Sequence, residues 1–283
     1  MVLVRATMHA WDRQYVPSPS CIARQNASWG RLRIPQQVAL LRVFVSASTV
    51  RNILNRPMPA DTDTRPRTPE THPKPEPPKH IRADHPNHVW SADLTTVRTW
   101  IFFRTEVFAV IDHFSRKLVT LVPLSRPNAT SIMEALDGAF QRYGCPKHFV
   151  TDKAPVFTGP AFAGFLGKHG VKHRTGAVGQ HGSISITERL FESFKYEWLR
   201  RVPFIRGFAH LLELCNSFAT WYGQWRPHQG IAGGLPDDAH MSGTLSPPLA
   251  GVDRSRAKTV PSKIETIHFA DTGTTAWRIP RAA

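Results

Sequence analysis

The stretch Val89-Trp90-Ser91-Ala92-Asp93-Leu94-Thr95-Thr96-Val97 decides the fold. Its β-branched and aromatic side chains and short length read as a strand. Asp93 interrupts it where an apolar residue would cost less. Two more strands follow closely, over residues 107–114 and 118–124. A helix over 130–143 puts Ile132, Ala135, Leu136, Ala139 and Phe140 on one face, with Gly144 beyond its end. Next come a short strand at 148–151, a helix at 161–169 and a short strand at 171–175. A long helix over about 185–199 and another over 208–225 complete the region. Three strands followed by mixed β and α predict an α/β fold with a central mixed sheet.

Composition divides the chain around this region. Residues 56–80 hold eight prolines; proline fixes φ and removes a donor, so the stretch reads as an extended linker. The expected organisation is a helix-turn-helix region at 1–55, a Pro-rich linker at 56–80, a core at 81–232 and a C-terminal tail or small accessory module at 233–283, with a strand expected at 264–270. Within 1–55, residues 34–45 read as a helix, and Ser46 or Ser48 could cap a second one over 49–55. Val50, Ile53 and Leu54 would then face inward. Arg51, Asn52 and Arg56 would face outward, side chains suited to phosphates and base edges. A helical pair used only for packing is the alternative.

Charge and composition bound the function. The 283 residues carry a net charge of +15, which favours a polyanionic partner, nucleic acid before anionic membrane. The region 1–82, with 13 basic and 5 acidic residues, is the most basic per residue. A hydrophobic content of 41% supports a packed core and excludes a disordered chain. No apolar run approaches the ~20 residues that span a bilayer, and residues 1–20 lack a signal-peptide pattern. Cys21, Cys145 and Cys215 are too far apart for a disulfide framework, which fits a reducing cytoplasm. His85/His88 and His169/His173 are close pairs; the second has the H-x3-H spacing of a zinc site, but no CxxC accompanies it and Gly170 interrupts the turn, so it reads as surface or packing histidines.

Three carboxylates stand where chemistry would need them. Asp93 lies within a strand, Asp152 ends another, and Glu188 lies near the start of the long helix. Strand ends in open α/β sheets are where ligands bind. Brought to ~4 Å at an effective dielectric of ~20, each pair would repel by about 4 kcal/mol. Divalent cations offset such repulsion, and oxygen ligation suits Mg2+ or Mn2+. Simpler readings stay open. Asp93 could bond a neighbouring amide, Asp152 could form an Asx-turn, and Ser185-Ile186-Thr187-Glu188 matches a capping box.

The spacing and its surroundings resemble a known family. Thirty-five residues separate Asp152 from Glu188, as in the D,D-35-E arrangement of retroviral-type integrases and bacterial insertion-sequence DDE transposases. The segments 90–95, 110–116, 151–158 and 182–189 running on to Lys195-Tyr196-Glu197 resemble that family, as do Trp221-Tyr222 and Arg226-Pro227-His228. Upstream, Trp29-Gly30, Arg33-Ile34 and Ser48-Thr49-Val50 resemble the transposases' helix-turn-helix. The resemblance implies an RNase H-like core, a five-stranded mixed sheet flanked by helices. It implies that Asp93, Asp152 and Glu188 hold two Mg2+ ions, with Mn2+ able to substitute, for DNA cleavage and strand transfer. The implied partners are the element's terminal repeats, target DNA and further copies of the chain assembled on paired DNA ends, in a bacterial, nucleoid-associated setting. A catalytically inactive, transposon-derived DNA-binding protein is the alternative.

Other positions carry weaker expectations. Lys195, seven residues after Glu188, resembles a DNA-contacting lysine, and Arg226 either packs or contacts DNA. The glycines of 176–182 suit a loop that orders over DNA. Many relatives read Asp-Asn-Gly where this chain has Asp152-Lys153-Ala154, so Lys153 would grip phosphate or compete with metal. The region before Ala27 is short beside bacterial relatives, which implies a truncated copy or one that works with a second transposase chain.

Overall fold

The computed structural model describes residues 17–26, 29–41, 43, 45–55, 83–99, 103–175, 184–245 and 264–279. The expected linker at 56–80, Arg56 and the glycine loop at 176–182 lie outside the described residues. Five strands form one sheet: β1 Val89–Thr99, β2 Phe103–Asp112, β3 Leu118–Leu124, β4 His148–Thr151 and β5 Lys172–Thr175, in the order β3-β2-β1-β4-β5. β1, β2 and β3 pair antiparallel, whereas β4 and β5 continue the sheet in parallel. This is the mixed five-stranded sheet flanked by helices expected of an RNase H-like core.

Period-2 alternation gives each strand two apolar faces. Trp90, Ala92, Phe108 and Val110 face one way, into a cluster with Ile132, Leu136, Phe140 and Phe162. That layer is built by α4 Ala129–Tyr143 and α6 Pro160–Lys168, with the short α5 Pro155–Thr158 between β4 and α6. Asn128 caps α4 by accepting from the Ser131 amide, and Gly144, at φ +82°, ends it in a conformation that favours glycine. Val97, Val107, Ala109 and Ile111 face the other way, against Leu190, Phe194, Trp198 and Phe218. α7 Ile184–Glu192 and α8 Phe208–Gln224 cover this side. α9 Pro236–Ser242 follows, tied to the β2–β3 turn by Lys117 Nζ donating to Asp237 Oδ1 at 2.7 Å.

The long helix expected over 185–199 is not one continuous α-helix. α7 gives way to a π-helical turn, Ser193–Trp198, and a 3-10 turn, Leu199–Arg201. π-turns are uncommon and concentrate at functional sites.

The N-terminal helices differ from expectation. α2 Arg33–Ala39 is shorter than the helix read over 34–45, and α1 Pro19–Gln25 was not expected. Ser18 caps α1 and Ile22 is its buried anchor. α3 Ala47–Leu54 starts at Ser46, whose hydroxyl accepts from the Thr49 amide. Val50 is buried as expected, Ile53 is half-buried and Leu54 is exposed. With only eight residues, α3 has a narrow inward stripe, and Leu54 in its last turn falls outside it.

These helices share the α7–α8 core: Ile22, Trp29, Ile34, Val38 and Val50 join the same apolar cluster. The hairpin β6 Glu265–Phe269 and β7 Thr274–Arg278 joins it through Ile267, Phe269, Ala276 and Trp277. Gln37 Nε2 donates to the Trp277 carbonyl at 2.6 Å, so the N- and C-terminal pieces meet on one face. Among the described residues, no helix is long and apolar enough to cross a membrane.

Candidate active site

The sheet order sets the first two carboxylates on β1 and just after its neighbour β4. β1 and β4 run parallel, with Trp90 opposite Phe149 and Ser91 opposite Val150. Two residues beyond that last pair stand Asp93, within β1, and Asp152, one residue past the end of β4. Because side chains alternate, Asp93 shares the face of Ser91, and Ser91 fixes the helix above it. Ser91 Oγ and Thr187 Oγ1 are hydrogen-bonded at 2.8 Å in a buried seam. Glu188 is the next residue along α7.

Electrostatics reports the same gathering. The Asp93 carboxyl is pushed up to about 6, first by burial and then by the charges of Asp152 and Glu188, while the Leu94 amide and Lys195 oppose the rise. Each aspartate anchors one oxygen on the backbone: Asp93 Oδ1 accepts from the Leu94 amide at 2.8 Å, and Asp152 Oδ1 from the Ala154 amide at 3.1 Å. Both local bonds weighed from the sequence therefore form, and neither uses the second oxygen. α7 begins at Ile184, so Ser185 lies within the helix rather than before it. Glu188 is exposed, one turn inside the helix. The ligand oxygens of the three carboxylates do not all lie within 4.8 Å of one another. The donor set is all oxygen, and its mutual repulsion is what a hard divalent cation offsets.

The remaining positions separate clearly. Lys195 is half-buried and within electrostatic reach of Asp93. It also lines a groove with Arg98 and Arg200. Lys153 is exposed beside Asp152, and Arg51 and Asn52 are exposed on α3. Arg226 is buried, 4% exposed. Its Nη2 donates to Glu197 Oε1 at 2.7 Å and its Nε to Glu197 Oε2 at 3.1 Å. Its guanidinium is held inside by the Glu197 carboxylate.

Glu197 is the residue that sequence reasoning missed. It also accepts from Trp29 Nε1 at 3.1 Å and Arg33 Nη1 at 2.9 Å, which fastens the N-terminal helices to the core. The available signal was an acidic residue between Phe194 and Trp198 on an otherwise apolar face.

Asp84, His85 and His88 gather potential ligand atoms within 4.8 Å of one another, ahead of β1. The two imidazoles stack in parallel, 4.7 Å apart with 4° between planes. Imidazole lone pairs lie in the ring plane, so parallel stacked rings cannot aim both at one ion. Asp84 instead takes a hydrogen bond from His88 at 2.6 Å. His173 bonds Thr151 and His169 packs against Phe140 and Phe165, so the second pair is structural.

Two integrase core domain families match the chain, one over residues 83–181 and the other over 169–236. Together they cover residues 83–236, more than half of the chain. The chain belongs to the integrase core family. A putative transposase for insertion sequence element IS986/IS6110 from Mycobacterium tuberculosis is 28% identical over 151 residues, 51% of this chain and 54% of the relative. An uncharacterized protein of Caenorhabditis elegans is 26% identical over 115 residues, 40% of this chain and 9% of that protein. The chain thus spans about half the length of the transposase relative and a small part of the other. Among solved structures, a chain of the simian T-cell lymphotropic virus intasome in complex with PP2A regulatory subunit B56 gamma aligns with 93% of this chain and 96% of its own. Its TM-score is 0.50 at 16% identity, a likeness of fold.

Proposed function

We propose that this integrase core protein is a DNA transposase that cleaves and joins DNA in a divalent-metal-dependent reaction. The single observation that carries the reading is that β1, the end of β4 and α7 converge, through the β1–β4 register and the buried Ser91–Thr187 hydrogen bond, on a place where each brings a carboxylate: Asp93, Asp152 and Glu188. The Asp93 carboxyl, raised to about 6 first by burial and then by the other two charges, agrees with it. A carboxylate that burial and like charges make costly to ionise is one that a bound cation would relieve.

Asp93, Asp152 and Glu188 are the residues that would hold Mg2+, with Mn2+ as a substitute and two ions expected. When bound, the metal supplies activation of a water or DNA 3′-hydroxyl and charge neutralisation at the phosphodiester. The protein contributes position. The backbone bonds of Asp93 and Asp152 fix one oxygen of each, and the Ser91–Thr187 bond sets the height of Glu188 above the sheet. Lys195 and Lys153 would hold DNA phosphates beside the carboxylates, and Arg51 and Asn52 on α3 would contact DNA at a second point. The substrate would be terminal-repeat and target DNA, engaged by more than one copy of the chain.

A strand-transfer assay with the element's own flanking DNA, in Mg2+ and in Mn2+, tests the reading. Wild type is expected to give joined products and Glu188→Gln none. If neither gives product while sequence-specific DNA binding persists, the protein is a binding protein without catalysis.

A further inference from the structure

A cavity of about 710 Å3 lies between α2, the β2–β3 turn, the flank of α7 and residues 226–230. Four arginines, Arg33, Arg116, Arg189 and Arg226, line it against two glutamates, Glu192 and Glu197. Glu197 is already paired with Arg33 and Arg226. One glutamate charge thus serves Arg33 and Arg226, and the exposed Glu192 is the other against Arg116 and Arg189, so four arginines and two glutamates leave the lining with a surplus of two positive charges.

Two donors here are unmet. Arg33 Nε and Arg116 Nη1 are buried atoms with no hydrogen-bond partner among the described residues. Arg116 is held in place from both sides. Its backbone takes φ +62° in the β2–β3 turn, and its Nε lies so close to Gly230 that an added Cβ there would sit 3.1 Å away. Gly230 thus leaves room for the guanidinium. Burial lowers the Arg116 pKa, and the Asp112 carboxylate only partly opposes this.

An unsatisfied buried donor costs about 1–3 kcal/mol, more when charged. Water could fill the hydrogen bonds but would leave the surplus charge, whereas an oxyanion answers both. Guanidinium forks match phosphate oxygens in geometry. We infer that this cavity is a phosphate-binding site, separate from the three carboxylates, with Arg116 at its base and Arg189 at its mouth. The volume exceeds a single phosphate group, which favours one carried on a nucleic-acid backbone over a free ion. Only that choice of source rests on the proposed DNA-acting function.

Two measurements on the full chain test it, using Arg116→Gln and Arg189→Gln, with Lys168→Gln on the opposite helical layer as control. The first is the thermal midpoint on adding inorganic phosphate, compared with chloride at equal ionic strength. Wild type and Lys168→Gln should shift upward; Arg116→Gln should lose the shift and Arg189→Gln show a smaller one. The second is the slope of log K against log salt for binding duplex DNA. Loss of one phosphate contact should reduce it by about 0.9. A phosphate shift lost in Arg116→Gln with the slope also reduced assigns the site to DNA. The same loss with an unchanged slope assigns it to free phosphate. If wild type binds no DNA, the proposed function fails, and the phosphate shift alone decides the site. An equal phosphate shift in wild type and both variants overturns the inference. If Arg116→Gln does not fold, the exposed Arg189→Gln carries the same comparison.

Discussion

Ser91 Oγ and Thr187 Oγ1 meet at 2.8 Å in the buried seam between β1 and α7. Each hydroxyl stands one or two residues from a carboxylate of the candidate site, Ser91 before Asp93 and Thr187 before Glu188. A single bond between side chains 96 residues apart thus sets the height of a helical carboxylate over a strand carboxylate. Elsewhere along this seam apolar packing would let the helix slide; a hydrogen bond with one length does not.

This bond should be measurable as a coupling. Thr187→Val keeps the shape and leaves the Ser91 hydroxyl buried without its partner, which should cost about 1–3 kcal/mol. Ser91→Ala added to it should recover part of that loss. Urea unfolding of the two single variants and the double variant closes the cycle. Additive losses would show that the hydroxyls act independently.

Asp93 should give up stability in exchange for its chemistry. Its carboxyl is raised from 3.8 to about 6, first by burial. The folded state therefore binds more protons than the unfolded state between these values, and stability falls as pH rises through the window. Without divalent metal, Asp93→Asn should be as stable as wild type below pH ~4 and more stable above pH ~6, by roughly 1–3 kcal/mol after solvent screening. Mg2+ should narrow the gap by stabilising wild type alone. Unfolding curves across pH, with EDTA or with Mg2+, check both statements.

Glu197 has the opposite sign. Burial alone would raise its carboxyl, but the charge and hydrogen bond of Arg226, then Arg33 and Trp29, hold it at about 2. Its contribution to stability is complete above pH ~4.5 and is lost as pH falls towards 2. Glu197→Gln should cost about 3–5 kcal/mol at neutral pH, because two arginines lose their counter-charge. The variant should also lose the part of the acid-unfolding slope that lies in this window.

The C-terminal hairpin should behave as part of the core. Trp277 is 8% exposed within the α7–α8 cluster. Trp277→Ala should destabilise by about 3–5 kcal/mol in denaturant unfolding. An effect below about 1 kcal/mol would mean that the hairpin is a dispensable appendage. The same variant should raise the susceptibility of α1 and α2 to proteolysis, since Gln37 hydrogen-bonds to the Trp277 carbonyl.

The sequence by itself determined the elements and their order. The β-branched and aromatic content of residues 89–97 and the one-sided apolar face of 130–143 are local signals, and they become β1 and α4 with small shifts at the ends. Asp93, Asp152 and Glu188 drew attention as candidate ligands because an acid within or beside an apolar run stands out from its neighbours. Tertiary structure alone decided the partnerships. Arg226 could have faced DNA, but it lies inside against Glu197, 29 residues away, and the same carboxylate takes Trp29 from 168 residues away. No periodicity records such a pairing. It follows from which surfaces lose their water together, and a buried charge then takes whatever counter-charge the packed helices bring within reach. For the same reason the N-terminal helices and the last hairpin, which composition sets apart from the core, complete its apolar face. α7 and α8 each have one apolar stripe, and those stripes stay dry only when α1, α2 and Trp277 cover them.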